Sequence, residues 1–216
     1  MSKNKTMNYS IITADIVNYT KITQSSEGNL IDDFIKWTKK MSGFSEVKYE
    51  VYRGDSFQCI IPNLNQTLKI CLLNRAYFLR LSKNQNGLDL RQSIGIGEVN
   101  LLKKTLSRSD GEAFRYSGRS FDEMDKKGNR IVFKSSFNEI DAELNTSFAL
   151  LEAIIQGWTS TQAEVFFHKL QGKKEKEIAA QLNISQPAIN RHLKAVSWSA
   201  IEKLLNRFEE LTIKII

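Results

Sequence analysis

Two aspartates and one polar helical stripe carry the residue types that do chemistry. Asp15 lies in the apolar run Ser10-Ile11-Ile12-Thr13-Ala14-Asp15-Ile16-Val17, and Asp55 lies in Arg53-Gly54-Asp55 between two short alternating stretches. Carboxylates are the oxygen donors that Mg²⁺ and similar ions take. Two of them a few ångströms apart, with backbone amides of the first loop nearby, can hold Mg²⁺ or Mn²⁺ and a triphosphate. That is the arrangement of two-metal phosphoryl and nucleotidyl transfer. Each acid also has a structural role open to it, at a strand end or in a turn after glycine. Glu98 would be a third acid. Near the C-terminus, Ile189, Leu193 and Val196 follow helical spacing and face inward. That leaves Gln186, Asn190 and Lys194 on one outer stripe with Arg191 beside it. Such amides can pair with adenine, an arginine with guanine and a lysine with phosphate, a suitable face for the major groove of DNA.

The elements that must position these residues follow from periodicity. The Asp15 run reads as a buried strand. Ile31, Phe34, Ile35 and Trp37, with Met41 beyond, mark a helix. The stretch 47–52, the turn at Arg53-Gly54-Asp55 and 56–61 form a hairpin signal. A second amphipathic helix is predicted over 66–83, a turn over 84–87, and a strand over 88–99 with Gly95 and Gly97 inside it. Those glycines suggest close backbone approach or a bulge. A third helix near 112–126 and a short strand at 130–133 follow. The order β-α-β-β-α-β is the split βαβ pattern of ferredoxin-like, palm-like α+β sandwiches. It predicts an antiparallel sheet with helices on one face and the first strand beside the hairpin, so that Asp15 and Asp55 converge.

The remainder reads as helical. A helix over 144–155 connects the halves. Thr161-x-x-Glu164 matches a capping box. Helices then run to Leu170, over 174–182, over 186–196 after a turn at Asn183-Ile184-Ser185, and over 199–213. Ile178, Leu182 and Ile184 are expected core, with Ser185 as cap. The stripe Ile201, Leu204, Leu205 and Phe208 reads as core or a dimer seam. The predicted domains are 1–135, a helical connection 136–157, and an all-α helix-turn-helix domain 158–216.

Composition sets the bounds. The 216 residues are 41% hydrophobic and 25% charged, as in ordinary soluble proteins. No run of about 18 apolar residues occurs, so no membrane partner is expected. The polar start and short apolar run are too brief for a signal peptide, and a cytoplasmic location is expected. Cys59 and Cys71 read as reduced core thiols, and His168 and His192 as surface or boundary residues. With nine basic and six acidic residues after Gln156, and a net +7 overall, the charge permits a polyanionic partner without requiring one.

Three resemblances sharpen these expectations. The segment from Trp158 to about Leu205 resembles the helix-turn-helix of LuxR-type and sigma-region-4-like regulators. It implies DNA contact through Ser185, Gln186, Asn190, Arg191 and Lys194. Asp15-Ile16-Val17-Asn18-Tyr19-Thr20 is similar to the first metal motif of class III nucleotidyl cyclases, and Gly54-Asp55 falls where those enzymes have their hairpin Gly-Asp. This resemblance implies metal ligation by Asp15 and Asp55, helped by the Ile16 carbonyl, and nucleotide contacts from Asn18, Tyr19, Thr20 and Gly54. The chain departs from the pattern elsewhere. Asn18 replaces the loop glycine and Val51 the purine-reading lysine. Asp122 and Lys126 stand near the positions of the late Asn and Arg. Finally, Gly54-Asp55-Ser56-Phe57-Gln58, Ile94-Gly95-Ile96-Gly97-Glu98 and Asp110-Gly111-Glu112-Ala113-Phe114-Arg115, with the helix-turn-helix, look like the SatD family of bacteria. The combined expectation is a dimeric DNA-binding regulator whose cyclase-like domain senses a nucleotide or related small molecule. The alternatives are a metal-dependent nucleotidyl cyclase or transferase, and a protein-interaction module without DNA contact.

Overall fold

The computed structural model describes residues 7–19, 30–41, 46–82, 87–124 and 128–215. Thr20, Lys126 and most of the predicted 84–87 turn lie outside the described residues. In chain order the elements are β1 (Asn8–Val17), α1 (Leu30–Lys40), β2 (Lys48–Arg53), β3 (Ser56–Ile61), α2 (Thr67–Leu79), β4 (Asp89–Leu101), β5 (Asp110–Gly111), α3 (Glu112–Glu123) and β6 (Ile131–Lys134). The helices α4 (Asn138–Ile155), α5 (Ser160–Leu170), α6 (Glu175–Leu182), α7 (Gln186–Ala195) and α8 (Trp198–Ile213) complete the chain. Among the described residues no helix is long and apolar enough to cross a membrane. Cys59 and Cys71 are buried free thiols.

The sheet order is β2-β3-β1-β4-β5, all antiparallel, with β6 also beside β4. β6 is parallel to β4, from Gln92↔Ile131 to Gly95↔Lys134. The expectation of a wholly antiparallel sheet is corrected at this strand. A parallel neighbour needs a crossover, and α3 supplies it. For the same reason helices cover both faces of the sheet, not one. Ile12, Ala14 and Ile16 of β1 join Phe34 of α1 and Leu72, Ala76 and Phe78 of α2 in the large core. The alternate residue Ile11 packs with Ile60, Val99 and Ala113 under α3. With both faces covered, β1 shows the continuous apolar run that its sequence presents.

Gly95 lets α3 approach. A β-carbon there would lie 2.3 Å from the Ala113 carbonyl oxygen and 2.4 Å from the Ser117 nitrogen. Thr13 and Ser117 hydroxyls share a hydrogen bond of 2.7 Å, and Ser117 donates to the Ser93 carbonyl at 3.1 Å. On the opposite face a buried arginine ties α2 to β4 and α4. Arg75 forks both to Asp89, at 2.8 and 2.9 Å, and to Glu152, at 2.6 and 2.9 Å.

α4 begins at Asn138, six residues before the predicted start, because polar side chains secure its first turns. Asp141 accepts from the Ser135 amide at 2.8 Å, and Asn145 both accepts from and donates to the Phe133 backbone at 2.9 Å. The capping box of α5 is Thr159–Gln162, not Thr161–Glu164. Glu164 lies within the helix, 3.8 Å from Arg80. Phe166, Phe167 and Leu170 of α5, and Ile201, Phe208 and Leu211 of α8, belong to the same apolar cluster as the sheet. A smaller cluster of Val165, Ile178, Ala179, Ile189 and Leu193 knits α5, α6 and α7. His168 is buried, not a surface residue. Its ring lies 3.1 Å from the Gln181 amide and 3.3 Å from the Lys173 ammonium.

Candidate functional site

The first candidate is a cleft of about 580 Å³ beside α3, whose lining includes Asp15, Asp55, Arg53, Arg91, Phe121 and Asp122. Strand alternation aims Thr13 and Asp15 of β1 and Arg91 of β4 toward this face. β1 lies beside the hairpin, with Asp15 paired to Ser56, and the Ile16 amide donates to the Asp55 carbonyl at 2.8 Å. Asp15 and Asp55 therefore line one cleft.

Their carboxylates are not equally available. β4 pairs Asp15 directly with Arg91. The guanidinium forks onto both carboxylate oxygens, Nε–Oδ1 at 3.2 Å and Nη2–Oδ2 at 2.8 Å. Asp55 Oδ1 accepts the Ser56 hydroxyl at 3.0 Å. Burial, then the negative charge of Asp15, holds the Tyr52 phenol above its ordinary pKa despite Arg53 nearby. Ile16, Asn18, Tyr19 and Gly54 sit at the strand and hairpin ends and do not line the cleft. Asn18 adopts a left-handed φ of 62°, and its side chain donates to the Gly87 carbonyl at 2.8 Å. Asparagine tolerates that conformation better than most residues. The Tyr19 ring would touch a β-carbon at Gly54 at 3.8 Å. Glu98 pairs with Asn8 at the far end of β1 and is no third acid for this cleft.

Arg91 was not among the residues singled out from sequence, although a signal existed. A charge in the middle of a strand predicted to be buried, as 88–99 is, requires a partner. Naming that partner requires the β1–β4 register.

The second candidate is the outer face of α7. A three-residue turn joins α6 to α7, with Asn183 left-handed at φ 52° and the Ile184 amide donating to the Ala179 carbonyl. Ser185 caps α7 by accepting from the Ala188 amide at 3.3 Å, and Pro187 occupies the first turn, where its missing donor costs nothing. Ile189 and Leu193 are buried, while Ser185, Gln186, Asn190, Arg191 and Lys194 are all exposed. Asn190 and Lys194 also line a groove of about 560 Å³ with Lys169, Trp198 and Lys203. The Lys169 ammonium sits 5.5 Å from the Trp198 ring centre.

No family model matches the chain, and no curated protein matches it in sequence. Among solved structures it is similar to parts of several cyclases. A bacterial light-regulated adenylyl cyclase is 13% identical over 60% of this chain and 76% of that one, with a TM-score of 0.43. The adenylyl cyclase CyaB from P. aeruginosa is 12% identical over 58% and 76%, at 0.42. The guanylyl cyclase Cya2 is 14% identical over 66% and 78%, at 0.40. Likeness at these scores assigns this chain neither a family nor a reaction.

Proposed function

We propose that this chain is a DNA-binding regulator. On this reading α5–α7 form a helix-turn-helix and α7 enters the major groove. The sheet is then a palm-like, SatD- and cyclase-like sandwich whose cleft admits a nucleotide or related anionic molecule. The observation that carries the proposal is the outer stripe of α7. Two amides, an arginine and a lysine stand exposed on a helix locked underneath by Ile189 and Leu193. Gln186 and Asn190 would meet base edges, Arg191 a guanine, and Lys194 with Lys169 and Lys203 the phosphates. Two copies would read paired half-sites.

The test is selection of bound sequences from a random duplex pool by the full chain, followed by titration of the recovered site. Arg191→Ala is expected to weaken that site by roughly 1–3 kcal/mol, and Lys194→Ala to reduce the salt slope by about one. Recovery of no motif, with binding unchanged by either variant, refutes the proposal and leaves α7 as a protein-interaction face.

A second reading has its own observation, since Asp15 and Asp55 line one cleft. Metal-dependent nucleotidyl chemistry there predicts new cyclic or linear nucleotides from nucleoside triphosphates with Mn²⁺, lost in Asp55→Ala. The donor set does not fit it in the described conformation, because the first of the two carboxylates is already held by a fixed cation.

A further inference from the structure

We infer that the Arg91 guanidinium is a resident cation in the place where a divalent ion would bind, so that this cleft works without a metal.

In an antiparallel pair the side chains of opposed residues share one face. Arg91 and Asp15 are opposed in β4 and β1, and their side chains meet as a two-pronged fork. Such forks are strong and directional. Arg91 is also held from α3. Its Nη1 donates to the Met124 carbonyl at 3.3 Å, and its guanidinium carbon lies 4.5 Å from the centre of the Phe121 ring. Only 9% of the residue is exposed. The β4 register, the Phe121 ring of α3 and the Met124 carbonyl just after it therefore hold the cation against Asp15.

A metal ion needs lone pairs that are free at coordination distance. Mg²⁺ demands near-ideal octahedral oxygen ligands at about 2.0–2.1 Å. Each Asp15 oxygen already gives one lone pair to Arg91, one Asp55 oxygen gives one to Ser56, and the fixed guanidinium charge repels a second cation from the lone pairs that remain. Among the described residues no group of three or more His, Cys, Asp or Glu side chains is placed to hold a metal. A dication at Asp15 would have to expel the arginine from the Met124 carbonyl and the Phe121 ring.

The test is a Mn²⁺ titration of the full chain followed by electron paramagnetic resonance, which reads free ion directly. Wild type is expected to show no saturable site at sub-millimolar Mn²⁺, and Asp15→Asn to look the same. Arg91→Gln unmasks the carboxylate and is expected to bind Mn²⁺ at least tenfold more tightly than wild type. The gain disappears in Arg91→Gln/Asp15→Asn. Saturable wild-type binding that Asp15→Asn abolishes overturns the inference. So does a folded Arg91→Gln that gains nothing. If Arg91→Gln does not fold, the wild-type and Asp15→Asn pair still decides.

The consequence for a ligand rests on the proposed nucleotide reading of the cleft, and a separate measurement tests it. A thermal-shift series with ATP and GTP is run in EDTA and again in Mg²⁺. Equal shifts in both support a metal-free site, and a shift seen only with Mg²⁺ overturns it. No shift in either refutes the nucleotide reading, while the Mn²⁺ result stands or falls by itself.

Discussion

Gly95→Ala gives the sharpest test of how the cleft is built. Gly95 pairs with Ile11 of β1 and Lys134 of β6, so it cannot retreat within the sheet. A β-carbon there meets the Ala113 oxygen at 2.3 Å and the Ser117 nitrogen and Cα at 2.4 and 3.0 Å. All three are backbone atoms, and ordinary contact begins at 3.4 Å. The helix must move out by about 1 Å, the shortfall between the two distances. Overpacking of this kind costs about 1–3 kcal/mol. Loss of the Ser117 hydrogen bonds to Thr13 and Ser93 adds about 0.5–1.5 kcal/mol each. Removing a glycine from a strand returns about 0.5–1 kcal/mol. The net expectation is a loss of about 2–4 kcal/mol. For a chain of this size that lowers Tm by about 5–15 °C. Gly118, on the same helix, has nothing within 4 Å of its would-be β-carbon. Gly118→Ala is expected to stabilise by about 0.5–1 kcal/mol. Urea midpoints of the two variants measure both effects at constant slope. If Gly95→Ala stays within about 0.5 kcal/mol of wild type, or if both variants move together, the close approach of α3 does not control the packing.

Arg75→Met is expected to cost about 2–4 kcal/mol, because half-buried Glu152 loses its cation and half-buried Asp89 keeps only Arg130, at 3.5 Å. Adding Glu152→Gln should restore part of that loss, and a purely additive double variant would deny the coupling. His168 gives a pH signature. Burial first, then the positive charges of Lys173 and Arg80, depresses its pKa from 6.5 to about 4. The unfolded chain binds this proton more readily, so stability is full above about pH 6.5 and falls as the pH drops toward 4, by about 1–3 kcal/mol. Urea midpoints for wild type and His168→Gln should diverge over that interval, and parallel curves would remove His168 from the balance.

How much of this was legible in the sequence depends on which interactions are local. The strands, the hairpin and the α6–α7 turn announce themselves through alternation, the Arg53-Gly54-Asp55 turn, and Asn183-Ile184-Ser185. Gly95 and Gly97 signalled a close backbone approach, which α3 makes at both. One error is a local ambiguity and the others are non-local. Thr159–Gln162 and Thr161–Glu164 both fit a capping box, and local pattern cannot choose between them. Which sheet face α3 covers depends on the crossover to β6, only four residues long. His168 is polar and lies in the last turn of α5, yet α6 folds over it through Gln181. Arg91 and Arg75 each lie in a segment predicted to be largely buried. Their partners are 76, 14 and 77 positions away. Such a charge advertises a partner without naming it.

The two candidate sites lie on opposite sides of the sheet, and this constrains any communication between them. The cleft uses Thr13, Asp15 and Arg91 on the α3 face, whereas α2 and α5 pack on the other. Phe167 of α5 lies 5.1 Å from Trp37 and 6.1 Å from Tyr77, and Arg80 stacks on both Tyr77 and Phe167 at 4.6 Å. Arg75 pins α2, β4 and α4 together beneath that contact. A hinge between the sheet and the C-terminal helices would open this apolar and ionic seam, which a ligand could drive only through a large difference in affinity between two states. Any control in the proposed regulator therefore has to leave this seam closed.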